Sequence, residues 1–90
     1  MRKIVVEAER YENPEELQEY LQDLFGFPGY YGKNLDALYD ALAEIDEKTQ
    51  IIISTQVTDE ENLGEYGERL LEVFEAAAQD NDNLKVKITK

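Results

Sequence analysis

Apolar residues recur along this chain with two periods, one typical of β-strands and one typical of α-helices. Residues 3–7, 50–55 and 84–88 carry short apolar runs or strict alternation, and each segment predicts a strand. The IVV run of the first predicts a buried strand, and the III run of the second predicts burial on both faces or nearly so. In the third, lysines alternate with apolar residues, which indicates one buried face, one wet face and an edge position.

Helical periods fill the segments between these strands. Asn13, Pro14 and Glu16 form an N-terminal capping sequence, and an apolar stripe follows it until Gly26, a typical helix stop. Asn34 caps a second helix, whose apolar stripe consists of Leu35, Leu38, Leu42 and Ile45.

Two more helices are predicted after the isoleucine strand, a short one at about residues 58–63 and a longer one at about 66–79. The element order is then β-α-α-β-α-α-β. Strands separated by helices pair in parallel through right-handed crossovers. We therefore expect an α/β fold in which helices cover a small three-stranded parallel sheet, as a single domain over residues 1–90.

The composition excludes several kinds of chemistry. The chain has neither cysteine nor histidine, so it has no thiolate nucleophile, no Ser-His-Asp triad and no common zinc site. No phosphate-binding glycine loop is present, because the glycines are spaced for turns. We expect no cofactor and no metal. The apolar run at the amino terminus is too short for a signal peptide, and we expect a soluble, cytoplasmic monomer.

The charge is strongly one-sided, at −12 from 21 acidic and 9 basic residues. Such a surface repels nucleic acids and anionic membranes, and it attracts cationic proteins and speeds their arrival. Simple solubility explains the same excess of acids, and on charge alone we favour that reading.

The second helix places two acids where they repel each other, although exposed acids without a function are common on soluble proteins. On a helical wheel, Asp36 and Asp40 lie opposite the apolar stripe, where they repel each other across one turn. Asp36 lies in the first turn, where the helix dipole favours acids, but Asp40 lies mid-helix. Tyr39 and Glu44 extend this face. In the preceding loop we expect Tyr30 to point outward and its neighbour Tyr31 inward.

The segment YYGKNLDALYDAL, residues 30–42, resembles the signature of the barstar family of ribonuclease inhibitors, and the order of elements along the whole chain is similar too. The resemblance implies a 1:1 complex in which the second helix and the loop before it plug the active site of a basic, guanyl-specific ribonuclease of the barnase type. It places Asp40 where the RNA phosphate would bind, Asp36 at the basic rim and Tyr30 against the catalytic histidine. The candidate partner-binding residues are Tyr30, Gly32, Asn34, Asp36, Tyr39, Asp40 and Glu44.

The periphery of the motif departs from the family. Tyr39 stands where the family has tryptophan, Lys33 where it has an acid, and Ala76 where it has a further contact acid, while Glu44 and Ile45 replace a glycine and a tryptophan. These changes leave open a different cationic partner, or a natural or designed scaffold with none. Catalysis or Mg²⁺ binding by the paired aspartates is disfavoured, because both are expected on a convex helix without a pocket.

Overall fold

A three-stranded parallel sheet forms the centre of the fold in a computed structural model that describes residues 1–90. The strands β1 (Arg2–Val6), β2 (Thr49–Ser54) and β3 (Leu84–Thr89) lie in the order β1-β2-β3. The helices are α1 (Pro14–Phe25), α2 (Leu35–Ala43) and α3 (Glu65–Asp80), and short 3-10 turns follow β1 and β2. The predicted α/β fold with helices on a small parallel sheet is confirmed.

The helices cover only one face of the sheet. Successive same-handed crossovers in the order 1-2-3 return to the same side, so every second strand residue faces the helices. Ile51 and Ile53 are buried there, whereas Ile52 is half-buried and Val5 is 51% exposed on the other face. The expectation of a buried strand therefore holds for only one face of β1, whereas β2 alternates buried and half-buried residues with none exposed, close to the expected burial on both faces or nearly so. Apolar side chains from all three helices complete the core, among them Leu17, Leu21, Leu38, Leu42, Leu70 and Phe74.

The predicted helix caps are present. The Asn13 side chain accepts hydrogen bonds from the backbone N–H groups of Glu15 at 2.7 Å and Glu16 at 3.3 Å. Gly26 ends α1 in the left-handed conformation, with φ of 72°. The Asn34 side chain accepts from the Ala37 N–H at 2.7 Å, which fixes the start of α2.

The segment between β2 and α3 differs from the prediction. A 3-10 turn, Thr55–Thr58, and a further turn replace the short helix expected at residues 58–63. The Thr58 hydroxyl donates back to the Thr55 carbonyl at 2.8 Å, so it caps no following helix. Helix α3 begins at Glu65, directly after Gly64 with φ of 54°.

Helix α2 ends at Ala43, so Ile45 packs against the core from outside the helix. A Cβ atom on Gly67 would lie 1.9 Å from the Val57 carbonyl oxygen, so only glycine permits the observed contact between α3 and the 3-10 turn.

No helix is both long and apolar enough to cross a membrane.

Candidate partner-binding site

Helix α2 presents an acidic face to solvent. Leu38 and Leu42, each with 0% exposure, fix the helix against the core. Asp36, Asp40 and Glu44 are exposed on the opposite side, as the helical wheel predicts. The carboxylates of Asp36 and Asp40 take part in no ion pair or hydrogen bond within the chain. Both negative charges are therefore available to an external cation.

Tyr39 lies beside this face and contacts the end of α3. Its hydroxyl donates a hydrogen bond to the carboxylate of Asp80, and the side chain is half-buried. This hydrogen bond is the main cause that raises the pKa of Tyr39 above its ordinary value, with desolvation and the negative charges of Asp80 and Asp40 adding to it. The hydrogen bond links α2 to the carboxyl end of α3. Sequence reasoning missed Asp80, which lies far from Tyr39 along the chain.

The loop before α2 holds one tyrosine inside and one outside. Tyr31 is 7% exposed, whereas Tyr30 is 89% exposed, which confirms the predicted orientations. The Tyr31 N–H donates to the Pro28 carbonyl at 2.9 Å, and the Gln22 side chain donates to the same carbonyl at 2.9 Å. The rings of Tyr31 and Phe27 lie 4.9 Å apart. These contacts anchor the loop from below, so Tyr30 projects from a fixed base.

Gly32, Lys33 and Asn34 form the junction between loop and helix. A Cβ atom on Gly32 would lie 3.1 Å from the Cβ of Ala37, so glycine lets the loop approach the first turn of α2. Lys33 adopts a left-handed backbone with φ of 57°, and its ammonium lies 3.9 Å from a Glu19 carboxylate oxygen. The cation next to the acidic face is thus directed toward α1 and leaves Asp40 unpaired.

Two open depressions flank α2, and each of the seven candidate residues lines one of them. The loop cleft, about 280 Å³, lies between the loop and α2 and includes Tyr30, Gly32, Asp40 and Glu44 in its lining. The interhelical groove, about 660 Å³, lies between α2 and α3 and includes Asn34, Asp36 and Tyr39. Both aspartates thus adjoin open depressions, but their side chains remain exposed to solvent, as expected for a convex helix.

Charge is segregated between the two sides of the fold. None of the 21 acidic residues lies in a strand, so all of them belong to helices, turns and loops. The uncovered sheet face carries exposed lysines, Lys3, Lys85 and Lys87. The negative potential is therefore strongest over the helical layer that contains α2. No group of three or more acidic side chains is close enough to hold a metal ion.

Asn81 supports α2 from a distant position in the chain, and the sequence alone did not identify it. It is 9% exposed, and its amide donates to the carbonyls of Leu42 at 3.0 Å, Ala43 at 3.3 Å and Ile45 at 2.9 Å. The Leu42 and Ala43 carbonyls lie in the last turn of α2, where Leu42 also accepts from the Ile45 N–H at 3.2 Å, and the Ile45 carbonyl lies just beyond the helix. Asn81 therefore fixes the carboxyl end of α2, next to Glu44. No local pattern in the sequence indicates this contact.

Comparisons with known proteins agree on one family. The family model described as "Barstar (barnase inhibitor)" matches residues 1–89. A protein of Bacillus subtilis (strain 168), "Putative ribonuclease inhibitor YrdF", is 37% identical to this chain over 90 residues, which covers 98% of this chain and 99% of the relative.

Proposed function

Because the chain belongs to the barstar family, we propose that it is a protein inhibitor that binds and plugs the active site of a basic, guanyl-specific ribonuclease of the barnase type. The observation that carries the proposal is the unpaired acidic face of α2, with Asp36 and Asp40 one turn apart and Tyr30 projecting beside them. It acts in the cytoplasm, as a 1:1 complex, and it catalyses no reaction.

The inhibitory mechanism is mimicry of a phosphate group. A ribonuclease must bind the RNA phosphate, so its active site presents arginine, lysine or histidine side chains. A carboxylate accepts two parallel hydrogen bonds from arginine, as a phosphate does. Asp40 lies on the wall of the loop cleft, and Tyr30 is the aromatic surface of the same cleft. A cationic side chain in the cleft would contact the carboxylate and the ring together.

Asp36 serves the other side of α2. It lines the interhelical groove together with Tyr39, so it meets a basic side chain at the rim of the active site while Asp40 occupies the centre. The partner also relieves the repulsion between the two aspartates, because one cationic surface neutralises both. An unfavourable charge pair in the free protein becomes favourable in the complex.

Long-range attraction accelerates the encounter. The net charge of −12 raises the rate constant of association with a basic enzyme, and added salt lowers that rate by screening. Lys3, Lys85 and Lys87 lie on the uncovered sheet face, which favours approach of the enzyme to the helical layer. Steering of this kind acts on association, and the fit at the cleft and groove acts on dissociation.

The experiment that tests the proposal is cleavage of an RNA substrate by a barnase-type ribonuclease, titrated with this protein. We expect stoichiometric inhibition by the wild type and weaker inhibition by Asp40→Ala, by about thirtyfold or more, since truncating a buried charge contact in a complex costs about 2–5 kcal/mol. Glu61→Ala is the control, because it removes one exposed acid from a turn that lines neither depression and should inhibit normally. Equal inhibition by both variants would refute the role of Asp40.

A second candidate is a barstar-like protein that binds a different cationic partner or none. The interhelical groove favours it, because Ala76 stands where the family has a contact acid and Arg69 lines the same groove, paired with Glu65 at 2.9 Å. Absence of inhibition, with a folded wild type, would support this candidate over the first. If Ala76→Glu then inhibited RNA cleavage, position 76 would be identified as the cause of the missing inhibition.

A further inference from the structure

A polar chain runs through the interior from the binding loop to α3. Gln18 lies in α1 and is 1% exposed. The Tyr31 hydroxyl donates to the Gln18 side-chain oxygen, and the Gln18 amide donates to the Tyr66 hydroxyl at 2.7 Å. Tyr31 lines the loop cleft and Tyr66 lines the interhelical groove. A single buried amide therefore connects the two depressions that flank α2.

Stability alone gives little reason for a glutamine at this position. Its neighbours on α1, Leu17 and Leu21, are fully buried apolar residues, and another apolar side chain would fill the space without an amide to desolvate. The glutamine has a carbonyl for one tyrosine and an N–H for the other, which defines where both hydroxyls lie. Burial also raises the pKa of Tyr31, so its hydroxyl stays protonated and remains a donor.

We propose that Gln18 is a positioning residue of the ribonuclease-binding surface, although it lies inside the protein. Through Tyr31 it fixes the loop that carries Tyr30, and through Tyr66 it fixes the floor of the interhelical groove. The loop then meets the partner in one preformed arrangement, so no ordering cost arises on binding. This inference rests on the proposed function for its partner, and on the hydrogen bonds for its mechanism.

The first test compares Gln18→Met with Ile51→Val, a control that shortens a buried side chain of the central strand, which takes no part in the polar chain. Methionine keeps the volume and removes both hydrogen bonds. We expect the dissociation rate constant of the complex with a barnase-type ribonuclease to rise about tenfold in Gln18→Met, the effect of losing a buried hydrogen bond. The Ile51→Val complex should dissociate within about twofold of the wild type. Equal rate constants for the two variants would overturn the proposal.

A second variant separates positioning from stability. In Gln18→Met/Tyr31→Phe no Tyr31 hydroxyl is left without a partner, so the free energy of unfolding should recover toward the wild type relative to Gln18→Met alone. The fast dissociation should persist, because the loop still lacks its hydrogen bond. Dissociation at the wild-type rate in this double variant would refute positioning.

Hydrogen exchange in the free protein tests the mechanism without any partner. The Tyr31 N–H, bonded to the Pro28 carbonyl at 2.9 Å, reports on the loop directly. In Gln18→Met we expect its exchange rate to rise at least tenfold more than that of the Ile53 N–H in the central strand. A parallel rise of both rates would refute the inference, whereas failure of the wild type to bind a ribonuclease would refute the proposed function alone.

Discussion

Asp40 should make the free protein less stable, and its removal should therefore raise the free energy of unfolding while it weakens inhibition. Asp40 lies in the middle of α2, is exposed, and has no ion pair or hydrogen bond that its loss would break. The predicted gain in Asp40→Ala has two parts, each of which follows from this position on the helix.

The first part is helix propensity, since aspartate in a helix interior costs up to about 0.7 kcal/mol relative to alanine. The second is repulsion from Asp36 one turn earlier, which costs about 0.2–0.5 kcal/mol. Together they predict that Asp40→Ala raises the free energy of unfolding by about 1 kcal/mol. For a domain of this size that corresponds to an increase in Tm of roughly 4–8 °C.

The assay is urea and thermal unfolding of the free protein at low salt, with Asp36→Ala as the matched control. That variant removes the same repulsion, but it also removes a favourable charge from the first turn, worth about 0.3–1 kcal/mol, so its stability should change little. A free energy of unfolding for Asp40→Ala at or below the wild-type value would refute this account of the acidic face.

Three further predictions concern residues that support the fold and the candidate site. Gly67→Ala should lower the free energy of unfolding by about 3 kcal/mol or more in a urea titration, because its Cβ would lie 1.9 Å from the Val57 carbonyl oxygen. The control Gly29→Ala has open space around the added methyl group, so its free energy of unfolding should stay within about 0.5 kcal/mol of the wild-type value. Asn81→Ala should cost about 2–3 kcal/mol and increase amide exchange at the carboxyl end of α2, and unchanged exchange there would contradict its role. Burial raises the pKa of Tyr31 above 10.0, so the unfolded chain releases the phenolic proton at a lower pH than the folded protein does. The contribution of Tyr31 to the free energy of unfolding is therefore fully present below pH 10 and is lost as the pH rises further, by up to about 1.4 kcal/mol per pH unit. Tyr31→Phe should flatten this slope in alkaline urea titrations, and a slope equal to that of the wild type would contradict the prediction.

Much of the fold follows from local patterns in the sequence. The caps at Asn13 and Asn34 and the stop at Gly26 rest on short-range hydrogen bonds and backbone conformation, so the helix limits they predict are close to those observed. The inward and outward tyrosines follow from the alternation of adjacent residues. The coverage of the sheet does not follow in this way, because the III run of β2 gives no sign of which face the helices leave open.

The candidate site divides along the same line. Its exposed residues are visible in the sequence, since Asp36 and Asp40 recur at helical spacing on a polar face. Its supports are not, because Gln18, Asp80 and Asn81 each act through contacts with residues distant in the chain. A side chain has no local signature in the sequence when its hydrogen-bond partner lies on another element.

The two depressions were also unpredictable from the sequence. The loop cleft and the interhelical groove arise where α2 meets the loop and α3, so their shape depends on packing between elements. Helical spacing indicates which residues are exposed, but it carries no information on the curvature of the surface around them.

The central claim is that the acidic face of α2 occupies the phosphate site of a ribonuclease. Competition between this protein and guanosine 3′-phosphate for a barnase-type enzyme, measured by titration calorimetry, tests it most directly. The account predicts that the apparent Kd of the inhibitor rises in proportion to nucleotide concentration once the nucleotide is saturating, because both ligands need the same cationic site. An apparent Kd that does not change with nucleotide would show that binding leaves the phosphate site open, and it would contradict the claim.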